Sequence, residues 1–245
     1  MDTPVRLIIE DDHEAMSRRS ADVMADVIRD RRQLLLCPAA GGTPTRAYQL
    51  LAEKKHLEPD LFDTLRVIKL DEWGGLAMDD PATCEVYLDR SLRRPLGVSD
   101  ERYVGFRSDP DDPRAECERI QARLERVGPI DLCVLGLGAN GHLGFNEPAE
   151  TLPAFAHVSS LAPTSLEHPM LASARSRVRY GLTLGLADVL GAGKVLLLVS
   201  GQAKSGQVRK LFSRRISTRF PASLLWLHHD VTCLCDRQAA SELDH

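Results

Sequence analysis

The amino-acid sequence predicts a single-domain α/β fold: an open, mostly parallel, doubly wound (Rossmann-like) sheet with helices on both faces. Helix-like and strand-like apolar periodicities alternate from one end of the chain to the other. The strands around Leu34, Val134 and Leu196 are nearly continuous apolar runs, which are typical of parallel strands buried on both faces. A length of 245 residues suits one domain over 1–245, built around one substantial core.

The individual elements follow from the same periodicities. The helices are predicted at about 13–31, 44–55, 82–94, 111–127 and 203–213, with a further short helix after residue 183. The strands are predicted at about 33–37, 65–70, 130–137, 178–183, 194–199, 223–228 and 231–235. The stretch 146–176 shows neither period and is predicted to be irregular. Internal repeats and low-complexity linkers are absent from the sequence.

Composition and charge exclude several classes of function. The formal net charge is −4 and both signs are mixed along the chain, so the sequence lacks the concentrated basic face that nucleic-acid binding requires. No apolar run approaches the ~18 residues of a membrane helix, and no export signal is recognisable. The six cysteines are scattered without zinc-ligand spacing. We therefore expect a reduced cytoplasmic protein with no metal, no cofactor, no nucleic-acid partner and no membrane partner.

In an open α/β sheet the ligand lies beyond the carboxyl ends of the strands, so the residues that follow each strand were considered first. The first predicted strand is followed by Gly41, Gly42, Thr43 and Pro44. Glycines let a ligand approach the main chain, Thr43 suits the N-cap, and Pro44 suits the first helical turn. A helix N-terminus with free N–H groups binds phosphate. The pattern fits either a phosphate-binding turn or an ordinary strand-to-helix turn.

The second predicted strand is followed by Asp71 and Glu72, next to Trp73 and two glycines. A carboxylate at a strand end can act as a general base. Because successive strand side chains alternate between faces, we expect only one of the two carboxylates to point into the site. An exposed acidic turn is the alternative interpretation.

The segment after the most apolar strand, residues 136–148, reads G-L-G-A-N-G-H-L-G-F-N-E-P. Its glycines match a dinucleotide-binding pattern, but Gly144 and Pro148 disfavour a long helix there. An acidic residue for a ribose is also missing at about 20 residues beyond the motif. The other interpretation is a tight loop that presents Asn140, His142 and Glu147, in which a carboxylate orients a proton-shuttling histidine.

A fourth strand end supplies a cation. Lys204 follows the predicted strand at 194–199 and lies near a helix start, where an ammonium group can pair with phosphate. A solvated helix lysine is the competing interpretation.

Together these segments resemble the hexosamine-6-phosphate deaminase/isomerase family over about residues 20–236. The resemblance rests on five motifs: G-G-T-P at 41–44, L-D-E-W at 70–73, the long motif at 136–148, L-T-L-G-L at 182–186 and S-G-Q-A-K at 200–204. The sister family, 6-phosphogluconolactonase, shares the fold and the glycine–histidine core. It typically carries arginine where this chain has Trp73, and it lacks the N-E-P at 146–148, so the deaminase side is favoured.

Within that side, N-G-H-L, L-D-E-W and A-S-L-L-W-L-H at 222–228 look closest to the galactosamine-6-phosphate branch. Typical glucosamine-6-phosphate deaminases have Asp at the position of Asn140 and Tyr at the position of Trp73. An amide can orient a neighbouring histidine but carries no charge to stabilise an imidazolium. Asn140 therefore departs from the Asp–His–Glu relay of those relatives.

The resemblance implies a mechanism without a cofactor. The backbone at 41–43 and Lys204 bind the 6-phosphate of an amino sugar, His142 opens the ring with help from Glu147 and Asn140, and Asp71 moves a proton from C2 to C1. The implied products are tagatose 6-phosphate and ammonia from galactosamine 6-phosphate. The alternatives are glucosamine-6-phosphate deaminase, then 6-phosphogluconolactonase; a binding module without turnover is disfavoured, because related sensors carry an added DNA-binding domain. A homo-oligomer is left open.

Two further expectations come from departures from the family pattern. The basic residues that bind an activator phosphate in allosteric deaminases have no counterpart after N-E-P, where Glu150, His157 and Ser159 stand instead, so no such activation is expected. The family's lid arginine, which grips the substrate phosphate, has no clear match. Arg175, Arg177 or Arg179 is expected to replace it.

Overall fold

A computed structural model describes residues 4–243 of the chain. The α-helices are α1 (His13–Asp30), α2 (Gly42–Leu57), α3 (Cys84–Leu88), α4 (Arg94–Leu96), α5 (Pro113–Val127), α6 (Pro163–Leu166), α7 (Leu186–Leu190) and α8 (Ser205–Phe212). A π-helical turn, Asp89–Arg93, joins α3 to α4. Short 3₁₀ helices lie at Pro59–Phe62, Asp100–Arg102, Pro169–Ser173, Gln202–Lys204 and Pro221–Leu227. No helix within 4–243 combines the length and the apolar character needed to cross a membrane.

The strands form two sheets. They are β1 (Val5–Glu10), β2 (Leu35–Cys37), β3 (Arg66–Ile68), β4 (Asp71–Gly74), β5 (Tyr103–Val104), β6 (Leu132–Gly136), β7 (His157–Ser159), β8 (Tyr180–Thr183), β9 (Lys194–Val199) and β10 (Val231–Asp236). Within residues 4–243, the main sheet is wholly parallel in the order β1-β10-β9-β6-β2-β3-β5. A small antiparallel sheet has the order β4-β8-β7.

The main sheet is buried on both faces, which confirms the doubly wound prediction. Along β6, Leu132 and Val134 pack into the core on one face, whereas Cys133 and Leu135 pack into the core on the other. Helices α1 and α2 cover the first face, and α5, α7 and α8 cover the second. Because side chains alternate along a strand, only a strand that is apolar at every position can satisfy two such cores.

The chain order creates a crevice at the centre of the sheet. From β2 the chain proceeds outward through β3 and β5, then returns to place β6 on the other side of β2 and proceeds outward through β9 and β10. The segments that follow β2 and β6 therefore diverge at their carboxyl ends. This switch point is where open α/β sheets bind their ligands.

Several predicted elements differ from the structure. The predicted strand at 223–228 is wrong: this stretch lies in a 3₁₀ helix, Pro221–Leu227, in which the indole N–H of Trp226 donates to the Leu211 carbonyl. A short apolar run cannot be distinguished from a buried helical turn by periodicity. Strands β1, β4, β5 and β7 and helix α6 were not predicted; β7 and α6 lie inside the stretch predicted to be irregular. Helix α2 begins at Gly42 with Gly41 as its N-cap, so Thr43 is not the cap.

Candidate active site

A cavity of about 480 Å³ opens at the switch point. It lies between the segments that follow β2, β6 and β9, the beginning of β4, and the segment 164–170. Six of the eight residues that the sequence predicted for the site line this cavity: Gly41, Gly42, Thr43, Asp71, His142 and Lys204. Asn140 and Glu147 lie behind His142 and reach the cavity only through hydrogen bonds. Segments that are far apart in the sequence therefore line the same cavity.

Hydrogen bonds to the Gly41 carbonyl fix the orientation of the Gly41–Gly42 peptide in the loop after β2. Gly41 has a φ of +136°, a conformation that favours glycine. Its carbonyl accepts hydrogen bonds from the Tyr87 hydroxyl at 2.7 Å and the Thr45 hydroxyl at 2.8 Å. In a trans peptide the N–H of the next residue points the opposite way, so the N–H of Gly42 is turned away from these hydroxyls. With the first turn of α2, the loop forms a cradle for an anion.

Asp71 opens strand β4 and is only 9% exposed. Gly144 lies beside it, with a φ of +55°, and a Cβ added there would lie 2.8 Å from the Thr183 hydroxyl oxygen, so this turn favours glycine. The Cys84 thiol approaches Asp71 Oδ1 at 3.8 Å. Burial, followed by the negative charge of Glu72, raises the pKa of Asp71 to about 7, against the opposing effect of Lys69. A carboxyl group with this pKa can both accept and return a proton near neutral pH.

Glu72 points away from the cavity, as the alternation of strand side chains predicts. Its carboxylate is fully buried and accepts hydrogen bonds from the backbone N–H groups of Trp73, Cys84 and Glu85 at 2.8–2.9 Å. The ammonium group of Lys69 lies 2.7 Å from Glu72 and 2.7 Å from Glu85. This buried ion pair holds the beginning of α3 against β4. Lys69 offsets only part of the effect that the negative charge of Glu72 has on Asp71.

His142 is oriented by a carboxylate. Its Nδ1 lies 3.4 Å from Glu147 Oε2 and 3.4 Å from the Ser165 hydroxyl. Ser165 also donates a hydrogen bond to Glu147. Because an ionised carboxylate only accepts hydrogen bonds, Nδ1 carries the proton and Nε2 keeps the lone pair.

Asn140 acts on this arrangement indirectly. Its amide donates to Glu147 at 2.8 Å, and its carbonyl oxygen accepts the backbone N–H of His142 at 3.1 Å. It therefore contacts the carboxylate and the loop rather than the imidazole. Burial opposes ionisation of Glu147, but hydrogen bonds from His142 and Ser165 outweigh it, and the pKa of Glu147 is lowered to about 2. Glu147 stays ionised throughout the neutral range.

Gly138 is needed because the imidazole lies against its Cα. A Cβ at this position would lie 2.3 Å from Cδ2 and 2.4 Å from Nε2 of His142. We expect Gly138→Ala to displace the imidazole and lower turnover by about 10²-fold, the lower end of what a positioned proton-transfer group contributes. Gly206→Ala is the matched control, since a Cβ there meets only Glu242 at 3.9 Å. Thermal unfolding of both variants separates the loss of turnover from a loss of fold; unchanged turnover in Gly138→Ala would contradict this account.

Lys204 supplies positive charge at the cradle. It follows β9 at the end of a 3₁₀ turn, directly before α8, and lines the same cavity as Gly41 and Gly42. No carboxylate within the described part of the chain forms an ion pair with it. Burial lowers the pKa of Lys204 because the charged form is partly desolvated. An unpaired, half-buried ammonium group is suited to an anionic ligand.

Sequence analysis missed Ser165 and His168, which line the cavity from the segment after β7. This segment has no helical or strand period, so nothing in the sequence placed it at the site. Arg175, Arg177 and Arg179, among which a substitute for the lid arginine was expected, lie outside the cavity lining in this structure. The Arg175 guanidinium pairs with Asp79 at 3.0 Å.

Comparison with known proteins shows the family of this chain. The model of a family described as glucosamine-6-phosphate isomerases/6-phosphogluconolactonase matches residues 10–234. The chain belongs to this family. Among similar members, "Putative deaminase AgaI" of Escherichia coli (strain K12) is 41% identical over 224 residues, covering 91% of this chain and 89% of that protein. Glucosamine-6-phosphate deaminase 1 of Bacillus subtilis (strain 168) is 36% identical over 235 residues, covering 94% and 96%.

Solved structures of the glucosamine-6-phosphate isomerase/6-phosphogluconolactonase family share the fold. A monomeric glucosamine-6-phosphate deaminase of the NagB superfamily superposes with a TM-score of 0.89 at 34% identity, covering 96% of this chain and 99% of that one. The 6-phosphogluconolactonase from Leishmania guyanensis superposes with a TM-score of 0.79 at 20% identity, covering 98% and 99%. The second likeness establishes the fold alone. Both branches expected from the sequence are therefore represented among its structural relatives.

Proposed function

We propose that this chain is a hexosamine-6-phosphate deaminase that converts galactosamine 6-phosphate and water to tagatose 6-phosphate and ammonia. The observation that carries the proposal is the meeting of three groups at one cavity. These are a carboxyl group of raised pKa at Asp71, a carboxylate-oriented imidazole at His142, and an anion cradle at Gly41–Thr43 with Lys204. A base, a proton shuttle and a phosphate site are what an aldose–ketose rearrangement of a sugar phosphate requires.

Ring opening is assigned to His142. Nε2 accepts the proton of the anomeric hydroxyl and delivers a proton to the ring oxygen as the C1–O5 bond breaks, which leaves an open-chain aldehyde. Glu147, ionised at neutral pH, stabilises the imidazolium formed between the two transfers. Asn140 and Ser165 hold that carboxylate in place.

Proton transfer between carbons is assigned to Asp71. Its carboxylate takes the proton from C2, the C2–H electron pair forms the C1–C2 double bond, and the aldehyde oxygen takes a proton from the substrate's own ammonium group to give an enolamine. Asp71 then returns the proton to C1, and the resulting C2 imine adds water and releases ammonia. Electrons are redistributed only within the substrate, so the reaction needs no oxidant or reductant. A carboxyl group with a pKa of about 7 is matched to both directions of transfer.

The preference for a galacto-configured substrate rests on the sequence motifs. Trp73, one of the two positions at which the chain departs from typical glucosamine-6-phosphate deaminases, lines the cavity. Its ring packs 4.4 Å from that of Phe145. Asn140, the other position, is connected to the imidazole through the carboxylate of Glu147. The two differences are thus located where the substrate ring would be held and opened.

The test is an ammonia assay with galactosamine 6-phosphate and glucosamine 6-phosphate in parallel, together with hydrolysis of 6-phosphogluconolactone. We expect ammonia from both amino sugars, with a larger kcat/KM for the galacto epimer. A larger value for the gluco epimer would retain the reaction and overturn the epimer assignment. Lactone hydrolysis without ammonia would move the protein to the lactonase branch, and binding without any product would indicate a sugar-phosphate sensor.

A further inference from the structure

We propose that His168 is a ligand of the substrate's 6-phosphate and takes the position that the sequence analysis assigned to an arginine. The inference deepens the proposed function and rests on it for the identity of the phosphate ester. In physical terms, an imidazole N–H from the segment after β7 completes the anion cradle at the start of α2. Three features of the structure support it.

The first feature is position. The His168 ring lies over the cradle: a Cβ added to Gly41 would lie 3.8 Å from Nε2 and 3.9 Å from Cε1. The edge of the ring that carries Nε2 is therefore the edge nearest the glycine loop. His168, Gly41, Gly42 and Lys204 line the same cavity. The ring also packs against Trp73, with the two ring centroids 5.8 Å apart.

The second feature is the tautomer. Nδ1 of His168 accepts the backbone N–H of Met170 at 3.3 Å, at the start of the 3₁₀ helix Pro169–Ser173. A neutral imidazole that accepts at one nitrogen carries its proton on the other, so Nε2 is a donor. Within residues 4–243, no protein acceptor is bonded to Nε2, whereas the donor is directed toward a cavity built for an anion.

The third feature is the charge around the ring. The titratable groups that share the cavity with His168 are Asp71, Cys84, His142, Glu167 and Lys204. Burial, followed by the positive charges of His142 and Lys204, lowers the pKa of His168. Without a ligand the imidazole therefore stays neutral. A phosphate dianion in the cradle would reverse this effect, because it favours the protonated ring.

The position and protonation of His168 would also supply the phosphate with the contact that a lid arginine makes in related enzymes. Arg175, Arg177 and Arg179 are outside the cavity lining, so no guanidinium from this region reaches the phosphate position in the structure. An imidazole that becomes protonated on binding supplies a charge-assisted hydrogen bond in its place. Because the donor lies on the segment that also carries Ser165, the phosphate and the ring-opening histidine are contacted by one short piece of chain.

The inference is tested first on the wild-type protein with inorganic phosphate as the probe. The imidazole ¹⁵N and ¹H resonances of His168 are followed by NMR as a function of pH, with and without saturating phosphate. We expect the pKa of His168 to rise in the presence of phosphate. The resonances of His56, an exposed histidine on α2, serve as the internal control. Unchanged titration of His168 at saturating phosphate would overturn the proposal.

Variants give the second arm. We expect His168→Ala to weaken phosphate binding, measured by calorimetry, about tenfold and to raise KM for the amino-sugar phosphate by a similar factor, the scale of one charge-assisted hydrogen bond. His168→Gln retains a donor near the Nε2 position and should lose less. His56→Ala is the matched control. Wild-type affinity and KM in His168→Ala would refute the inference while leaving the deaminase proposal intact. Phosphate binding that depends on His168 in a protein that forms no ammonia would do the reverse.

Discussion

Asp71→Asn is expected to abolish measurable deamination, with a loss of kcat of about 10⁴-fold, the upper end of what a positioned base contributes. An amide has nearly the same shape as the carboxyl group, so the cavity and the contact of residue 71 with Cys84 should persist. The loss would therefore report proton transfer rather than collapse of the site. Ammonia release under saturating substrate is the measurement, and Asp109→Asn, an exposed acid, is the control. Retention of more than a few per cent of turnover would rule out Asp71 as the base.

The pH dependence gives an independent test of the same group. A general base works only when deprotonated, so kcat/KM should fall about tenfold per unit as the pH drops below the Asp71 pKa of about 7. Glu72 contributes to that value by charge repulsion, and Lys69 opposes it. Neutralising the repulsive charge in Glu72→Gln should therefore move the acid limb to lower pH.

The substrate's own ionisations are the same for both enzymes, so a difference between their profiles belongs to the protein. If Glu72→Gln does not fold, the wild-type profile alone decides. An acid limb near the ordinary value for an aspartate, about 4, would contradict the raised pKa.

His142→Gln is expected to lower kcat by about 10²–10³-fold through loss of assisted ring opening. Glutamine keeps polarity in the slot against Gly138, but it cannot hold a proton between the anomeric hydroxyl and the ring oxygen. The residual rate should depend on the small amount of open-chain sugar that forms without help. The readout is ammonia release from the pyranose substrate.

A substrate deuterated at C2 separates this role from that of Asp71. When ring opening limits turnover, removal of the C2 proton no longer does, so the isotope effect on kcat should shrink toward one in His142→Gln. Ser165→Ala, which removes one hydrogen bond to Glu147, should show the same tendency to a smaller degree. An isotope effect that increases in His142→Gln would assign this residue to the carbon proton transfer instead.

Much of the fold was readable in the sequence because its physical requirements are local. Strands such as β6 must be apolar at every position to fill two cores, so they can be recognised in the sequence as continuous runs of apolar residues. The predicted secondary structure was wrong where the pattern of apolar residues fits both a strand and a buried helical turn. Residues 223–228 are as apolar as a strand, yet they form a 3₁₀ helix whose Trp226 is bonded to α8.

The sequence by itself determined the class of the fold, the strand ends that carry chemistry, and the residue types available there: Asp71, His142, Glu147, the glycine loop and Lys204. The reason is that glycines, prolines and acids after buried strands are constrained by backbone geometry within a few residues. Only the tertiary structure decided which groups share the cavity, that Asn140 acts through Glu147, and that His168 rather than an arginine stands at the cradle. Those outcomes depend on distances between segments that lie far apart in the sequence. The pKa of Asp71 likewise depends on its burial and on the charge of Glu72 in the folded chain.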